Sequence, residues 1–117
     1  MVVGDPAELN KAYQYLNALF KDKLNVFFSE DYFLEITPLG IEKASALAEL
    51  SGILGNTREQ LIACGDGLND IPMLEYAGLA VAMGNAYEET KRVSDYVAAT
   101  NEEDGVAEAI RKFILEE

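Results

Sequence analysis

The sequence predicts an α/β fold: a partial doubly wound parallel sheet, three strands with helices, preceded by a small αββ piece. Three observations predict it. After Pro38 and Gly40, short apolar runs alternate with stretches of helical periodicity, as parallel pairing with covering helices requires. Before them, Leu24–Phe28 and Tyr32–Thr37 are apolar runs split by the polar turn Ser29-Glu30-Asp31, the pattern of a hairpin. And "CGDGLND", residues 64–70, directly follows the apolar run Leu61-Ile62-Ala63, where an open parallel sheet builds its ligand site.

Each element follows from local chemistry. Met1-Val2-Val3 reads as a short strand. Asp5 can cap a helix, Pro6 suits its first position and Glu8 completes a capping box. Leu9, Ala12, Tyr13, Leu16, Leu19 and Phe20 then recur at helical spacing to about Lys21. A second helix is expected over Ile41–Ile53, with Ile41, Leu47, Leu50 and Ile53 or Leu54 facing inward and Gly55-Asn56 ending it. Leu61–Cys64, Leu79–Met83 and Tyr96–Ala99 are the three short strands. Asp70–Tyr76, Ala86–Val93 and Gly105–Leu115 are the intervening and closing helices, the last with Val106, Ile110, Phe113 and Ile114 inward. The units divide as 1–37 and 38–117.

Composition limits the function. The 117 residues suit one compact domain and are short for two. Nine basic residues face twenty-one acidic ones, a formal charge of −12. That argues against nucleic acid and against anionic membranes as partners. The absence of histidine excludes a His-based triad and His-ligated zinc. Cys64 is alone, lies in an apolar run and reads as a small buried hydrophobe. No apolar stretch has the length of a membrane span, so a soluble cytoplasmic protein is the expectation.

Residues 64–70 carry the chemistry. Gly65 and Gly67 allow a tight turn and close approach of a ligand. Asp66 stands just after the strand, and Asn69 and Asp70 begin the next helix, where either could cap it. Two carboxylates and an amide oxygen are hard ligands suited to Mg²⁺, which relieves the Asp66–Asp70 repulsion and attracts phosphate. A capped turn with solvated aspartates explains the same residues, and at this level both readings stand. Gly67 and Asn85 are candidates to line the crevice, Asn85 equally as a helix cap. Asn101 and Asp104 are expected to cap the last helix. Tyr13, Tyr15, Tyr32 and Phe33 are more simply core residues than substrate contacts.

"GDGLND" followed by "IPMLEYAGLAVAMGNA" resembles the fourth motif region of the haloacid dehalogenase superfamily, in its Cof-type branch (subfamily IIB) of magnesium-dependent phosphatases. "YFLEITPLGIEKASAL" resembles the third-motif region, "SDYVAATNEEDGVAEAI" the closing segment and "VVGDPAEL" text of the cap domain. The resemblance implies Asp66 as a metal ligand, Asp70 as an acidic partner supporting the metal shell and Asn69 beside the phosphate. It implies Lys43 as the catalytic, phosphate-binding lysine, Mg²⁺ as cofactor and a small phosphorylated metabolite, such as a sugar phosphate, as substrate. Residues 1–37 then correspond to a cap fragment and 38–117 to the C-terminal half of the core.

Such enzymes work through an aspartyl-phosphate formed on an Asp-x-Asp pair. No two of the aspartates 5, 22, 31, 66, 70, 95 and 104 stand two apart. Leu39 stands where relatives often carry a basic residue, and Ala44 where they often carry glycine. The chain is therefore expected to be the C-terminal part of a larger phosphatase, inactive by itself. The alternatives are a non-catalytic Mg²⁺/phosphate-binding module and an oligomeric α/β interaction module. The strand Leu61–Cys64 is expected to leave an apolar sheet edge open, favouring self-association.

Overall fold

Two separate three-stranded sheets organise the chain. The computed structural model describes residues 1–115. β1 (Val2–Val3), β2 (Leu24–Glu30) and β3 (Phe33–Pro38) form an antiparallel sheet in the order β1-β3-β2. Helix α1 (Pro6–Phe20) lies over it, burying Leu9 against Val26 and Leu34. Tyr13 joins this core, its ring 5.5 Å from that of Phe28, whereas Tyr15 is exposed. Asp5 Oδ1 accepts the Ala7 N–H at 2.9 Å and so starts the helix. Glu8 does not close the expected capping box. Lys11, one turn on, takes its carboxylate in an ion pair at 2.6 Å.

The hairpin is longer than its apolar pattern. Phe28 pairs with Leu34 and Glu30 with Phe33, so one extra residue bulges between them and only Asp31 and Tyr32 remain outside the strands. Ser29, expected in the turn, therefore lies on β2.

After Gly40, whose φ of 81° suits glycine, the chain enters the parallel unit. β4 (Ile62–Gly65), β5 (Leu79–Ala82) and β6 (Tyr96–Val97) pair in parallel in the order β4-β5-β6. The helices are α2 (Lys43–Leu54), α3 (Ile71–Tyr76), α4 (Glu88–Arg92) and α5 (Gly105–Ile110), which continues as a π-helical stretch, Arg111–Leu115. The core is rich in alanine. Ala63, Ala77 and Ala80 pack with Leu74, and Ala98 and Ala109 with Val81. Cys64 packs against the second group, partly buried, and burial pushes its thiol above its ordinary pKa.

Several boundaries and faces differ from the sequence pattern. α2 starts at Lys43 rather than Ile41, because the Ile41 carbonyl accepts the Thr37 hydroxyl at 3.0 Å and its N–H donates to Pro38 O. α4 starts at Glu88 because Ala86 N–H closes a turn onto Met83 O. Asp104 caps nothing with its side chain and adopts a left-handed φ of 59°. In the Asn101–Glu103 turn the Thr100 hydroxyl donates to Glu103 at 2.8 Å, leaving no capping role for Asn101.

Ile41, Leu50, Ile53 and Leu54 are exposed rather than inward, as are Val106, Ile110 and Ile114. α2 buries Ser51, whose hydroxyl is satisfied by Leu47 O at 2.8 Å. α5 packs through Ala109 and Phe113. Small residues let each helix approach closely, and the larger stripes face no element among the described residues. No described helix is long and apolar enough to cross a membrane.

Leu34 is fully buried at the centre of the antiparallel unit. Leu34→Ala should destabilise the protein by about 2–5 kcal/mol, read from urea unfolding followed by circular dichroism. A change under about 1 kcal/mol would mean that this core contributes little to stability.

Candidate functional site

The site begins with a glycine needed for packing rather than for an unusual dihedral. A Cβ at Gly65 would stand 2.6 Å from Asp70 Cβ. Only glycine at the end of β4 lets the Asp70 side chain fold back beneath the turn. At Gly67 a Cβ would meet only the movable end of the Asn69 side chain, so the constraint there is weaker. Neither glycine has a positive φ, and Gly65 makes room for the Asp70 side chain of the same loop.

Asp70 is 5% exposed and organises everything near it. Its Oδ2 accepts the N–H groups of Asp66 at 3.1 Å and Gly67 at 3.0 Å. Its Oδ1 accepts the Lys43 ammonium. Asp70 therefore closes the loop onto itself, as an N-terminal cap does, while also holding a cation from another helix. Burial alone raises the Asp70 pKa. The hydrogen bonds from Lys43, Gly67 and Asp66, with the Lys43 charge, outweigh that and hold it below the ordinary carboxylate value.

Lys43 is the first residue of α2, with its side chain half-exposed. Its placement is fixed from both sides. Glu42 N–H donates to Ser45 Oγ at 3.0 Å, and Ser45 Oγ donates to Glu42 O at 2.8 Å, which sets the start of the helix. Upstream, the Asn25 amide reaches the carbonyls of Pro38 and Ile41, both at 3.4 Å, tying the connecting segment to the hairpin.

The other candidates converge on the same place. Lys43, Asp66, Gly67, Asn69, Asp70 and Asn85 all line one polar cavity of about 440 Å³. Asp66 is exposed, and its Oδ2 takes a long contact, 3.4 Å, from Asn85 Nδ2. Asn85 does not cap α4; its Oδ1 accepts the Asn101 N–H at 2.9 Å. Three further residues line the cavity that the sequence pattern did not mark: Ser29 and Glu30 from β2, and Tyr87. Their polar character predicts a turn for the first two, and the bulge between β2 and β3 has no local signature. A second cavity, about 480 Å³, adjoins it between β2 and the starts of α2 and α3, and shares Ser29, Lys43 and Asn69 with it.

The donor set fits a hard divalent cation in part. Asp66 offers an accessible carboxylate in a polar cavity, with Asn69 and Asn85 amides nearby. Asp70 is engaged by protein donors on both oxygens. No three acidic or sulfur ligands come together among the described residues.

Two outcomes follow. Gly65→Ala should destabilise the fold by about 1–3 kcal/mol, because its Cβ displaces Asp70 from its donors; an unshifted urea midpoint would contradict the packing described. The pH dependence has a definite sign. With its folded pKa depressed, Asp70 contributes stability that is present above its unfolded value, near 3.8, and is lost as pH falls through the folded value. The stability difference between wild type and Asp70→Asn should therefore be largest at neutral pH and shrink below about pH 4. An unchanged difference at pH 7 and pH 3 would refute it.

Comparison with known proteins identifies the family. Residues 1–110 match the family model of haloacid dehalogenase-like hydrolases. A 5-amino-6-(5-phospho-D-ribitylamino)uracil phosphatase of Bacillus subtilis (strain 168) is 48% identical over 103 residues, covering 87% of this chain and 41% of that protein. The crystal structure of a haloacid dehalogenase-like hydrolase from Bacteroides thetaiotaomicron superposes with a TM-score of 0.82 at 50% identity, over 96% of this chain and 42% of that one. A subclass IIB sugar phosphatase of the superfamily superposes with a TM-score of 0.80 at 29% identity, over 96% and 40%. The chain thus spans about two fifths of the length of these relatives. With a family match over nearly all its residues and the matching motifs gathered at one cavity, the chain belongs to the haloacid dehalogenase-like hydrolases.

Proposed function

We propose that this chain supplies the metal- and phosphate-binding part of a magnesium-dependent phosphatase site for a small phosphorylated metabolite. The observation that carries the reading is the convergence of Lys43, Asp66 and Asn69 on one cavity, with Lys43 anchored there by the buried Asp70. Relatives named as phosphatases for a phosphorylated uracil derivative and for sugars support it. On this reading residues 1–37 belong to the cap and 38–117 to the core of a cytoplasmic enzyme.

The roles follow from side-chain chemistry. Asp66 holds the cation with its accessible carboxylate, while Asp70 supports the shell from behind by fixing the Asp66 backbone. Magnesium, when bound, supplies positive charge against the phosphoryl oxygens. Lys43 adds a point charge where negative charge must be stabilised, its position set by Asp70. Asn69 offers an amide N–H to a phosphoryl oxygen, and Gly67 and Asn85 complete the wall. Neither nucleic acid nor a membrane is a partner on this reading.

Covalent phosphoryl transfer also needs a nucleophile in reach of phosphorus. These 117 residues contain no Asp-x-Asp, Asp70 is occupied by its donors, and among the described residues only Asp66 and Asp70 are acidic groups of the core at the cavity. The chain alone therefore binds rather than turns over. The same scarcity of ligands favours, as a second reading, a Mg²⁺/phosphate-binding module without catalysis.

β4 has a strand neighbour on one side only among the described residues, and Ile62 on it is 37% exposed. We propose that copies associate through this edge.

Calorimetry should register Mg²⁺ binding to the wild-type chain and its loss in Asp66→Ala, with p-nitrophenyl phosphate left unhydrolysed by both. Equal Mg²⁺ binding by the two would remove the assigned metal ligand. Turnover that depends on Asp66 would show that the chain is catalytically complete. Light scattering should show dimers or larger species at high concentration, reduced by Ile62→Lys; a strict monomer contradicts edge pairing.

A further inference from the structure

We infer that Asn85 is a positioning residue for Asp66: it holds one carboxylate oxygen so that the other stays presented to the cavity. The inference rests on the cation role given to Asp66 above. An asparagine side chain has one acceptor end and one donor end. Asn101 N–H occupies the acceptor, Oδ1, at 2.9 Å. That fixes which way the amide faces and leaves Nδ2 directed at Asp66 Oδ2, 3.4 Å away. Asn85 is exposed, so packing does not orient it; the backbone of the 98–101 loop does.

That loop is itself secured. Gly84 N–H donates to Ala99 O at 3.1 Å, and a Cβ at Gly84 would stand 3.0 Å from both Ala98 O and Thr100 N. A larger residue before Asn85 would require the facing segment to give by a few tenths of an ångström. From α5, Glu108 accepts the Ala99 N–H at 2.7 Å and the Tyr96 hydroxyl. A continuous line of hydrogen bonds and backbone thus runs from the last helix to the Asp66 carboxylate. Holding a ligand in one rotamer before the cation arrives lowers the ordering entropy lost on binding.

Asn101→Pro tests this without touching the cavity. Asn101 is the first residue of a 3₁₀ turn, and Thr100 before it is extended at φ −68°, ψ 166°, so proline fits while the N–H is removed. Asn101→Ala keeps that N–H. Mn²⁺ affinity of the full chain, measured by electron paramagnetic resonance, should fall about tenfold in Asn85→Ala and Asn101→Pro and stay unchanged in Asn101→Ala. Thermal melts of each variant separate this from unfolding. In metal-free protein, the Asn85 side-chain NH₂ resonance should move in Asp66→Ala and in Asn101→Pro.

Wild-type affinity in both Asn85→Ala and Asn101→Pro overturns the inference. So does an Asn101→Ala variant as weak as Asn101→Pro. Absence of saturable Mn²⁺ binding in the wild type overturns the cation reading itself. The positioning claim then falls or stands with the resonance, and an Asn85 NH₂ signal indifferent to Asp66→Ala defeats it.

Discussion

The pairing of Lys43 with Asp70 is the contact on which the site depends. The partners lie 27 residues apart and belong to different elements, the start of α2 and the turn after β4. A nearly buried carboxylate is tolerable only when its charge is met and its lone pairs are filled. Lys43 meets the charge, and the N–H groups of Asp66 and Gly67 fill the lone pairs. The result is a rigid loop from which Asp66 projects into the cavity. Crowding two carboxylates into one turn costs little repulsion when one of them is neutralised from behind. It leaves the Asp66 carboxylate accessible at the cavity.

What the sequence made legible was local. Strands β4 and β5, the turn between β4 and α3, and the left-handed Gly55 ending α2 follow from apolar runs and turn residues. The cluster Asp66, Asn69, Asp70 announced itself because its members are contiguous. Lys43 did not. A lysine at a helix start is unremarkable until the fold brings it to Asp70, and only the resemblance to a family singled it out. Ser29 and Glu30 stayed hidden because a bulge depends on cross-strand register, which no short window records. The packing constraint at Gly65 stays hidden for a related reason: it is set by a side chain five residues on, not by its own dihedral.

The faces of α2 and α5 were the largest misreading, and the cause is physical. Helical periodicity identifies apolar stripes without saying which stripe meets the sheet. Ala109, Phe113 and Ser51 make the close contacts, while Leu50, Ile53, Val106 and Ile110 face outward. The closing helix meets the sheet through Ala109 and Phe113, and α2 packs against α3 rather than on the sheet. The exposed stripes, and the edge of β4 that has no strand neighbour among the described residues, are apolar surface left uncovered by these elements.

Membership of the haloacid dehalogenase-like hydrolases and the shared cavity lead to one electrostatic claim: an acidic turn and a tethered lysine together grip a phosphoryl group, through a cation. The most direct measurement is a titration of the ¹⁵N-labelled chain with inorganic phosphate, with and without Mg²⁺. The account predicts that the Lys43 side-chain ammonium and the Asn69 side-chain amide signals shift together, saturably, only when Mg²⁺ is present. Shifts that do not depend on Mg²⁺, or that centre on Lys21 and Lys23 instead, would contradict it.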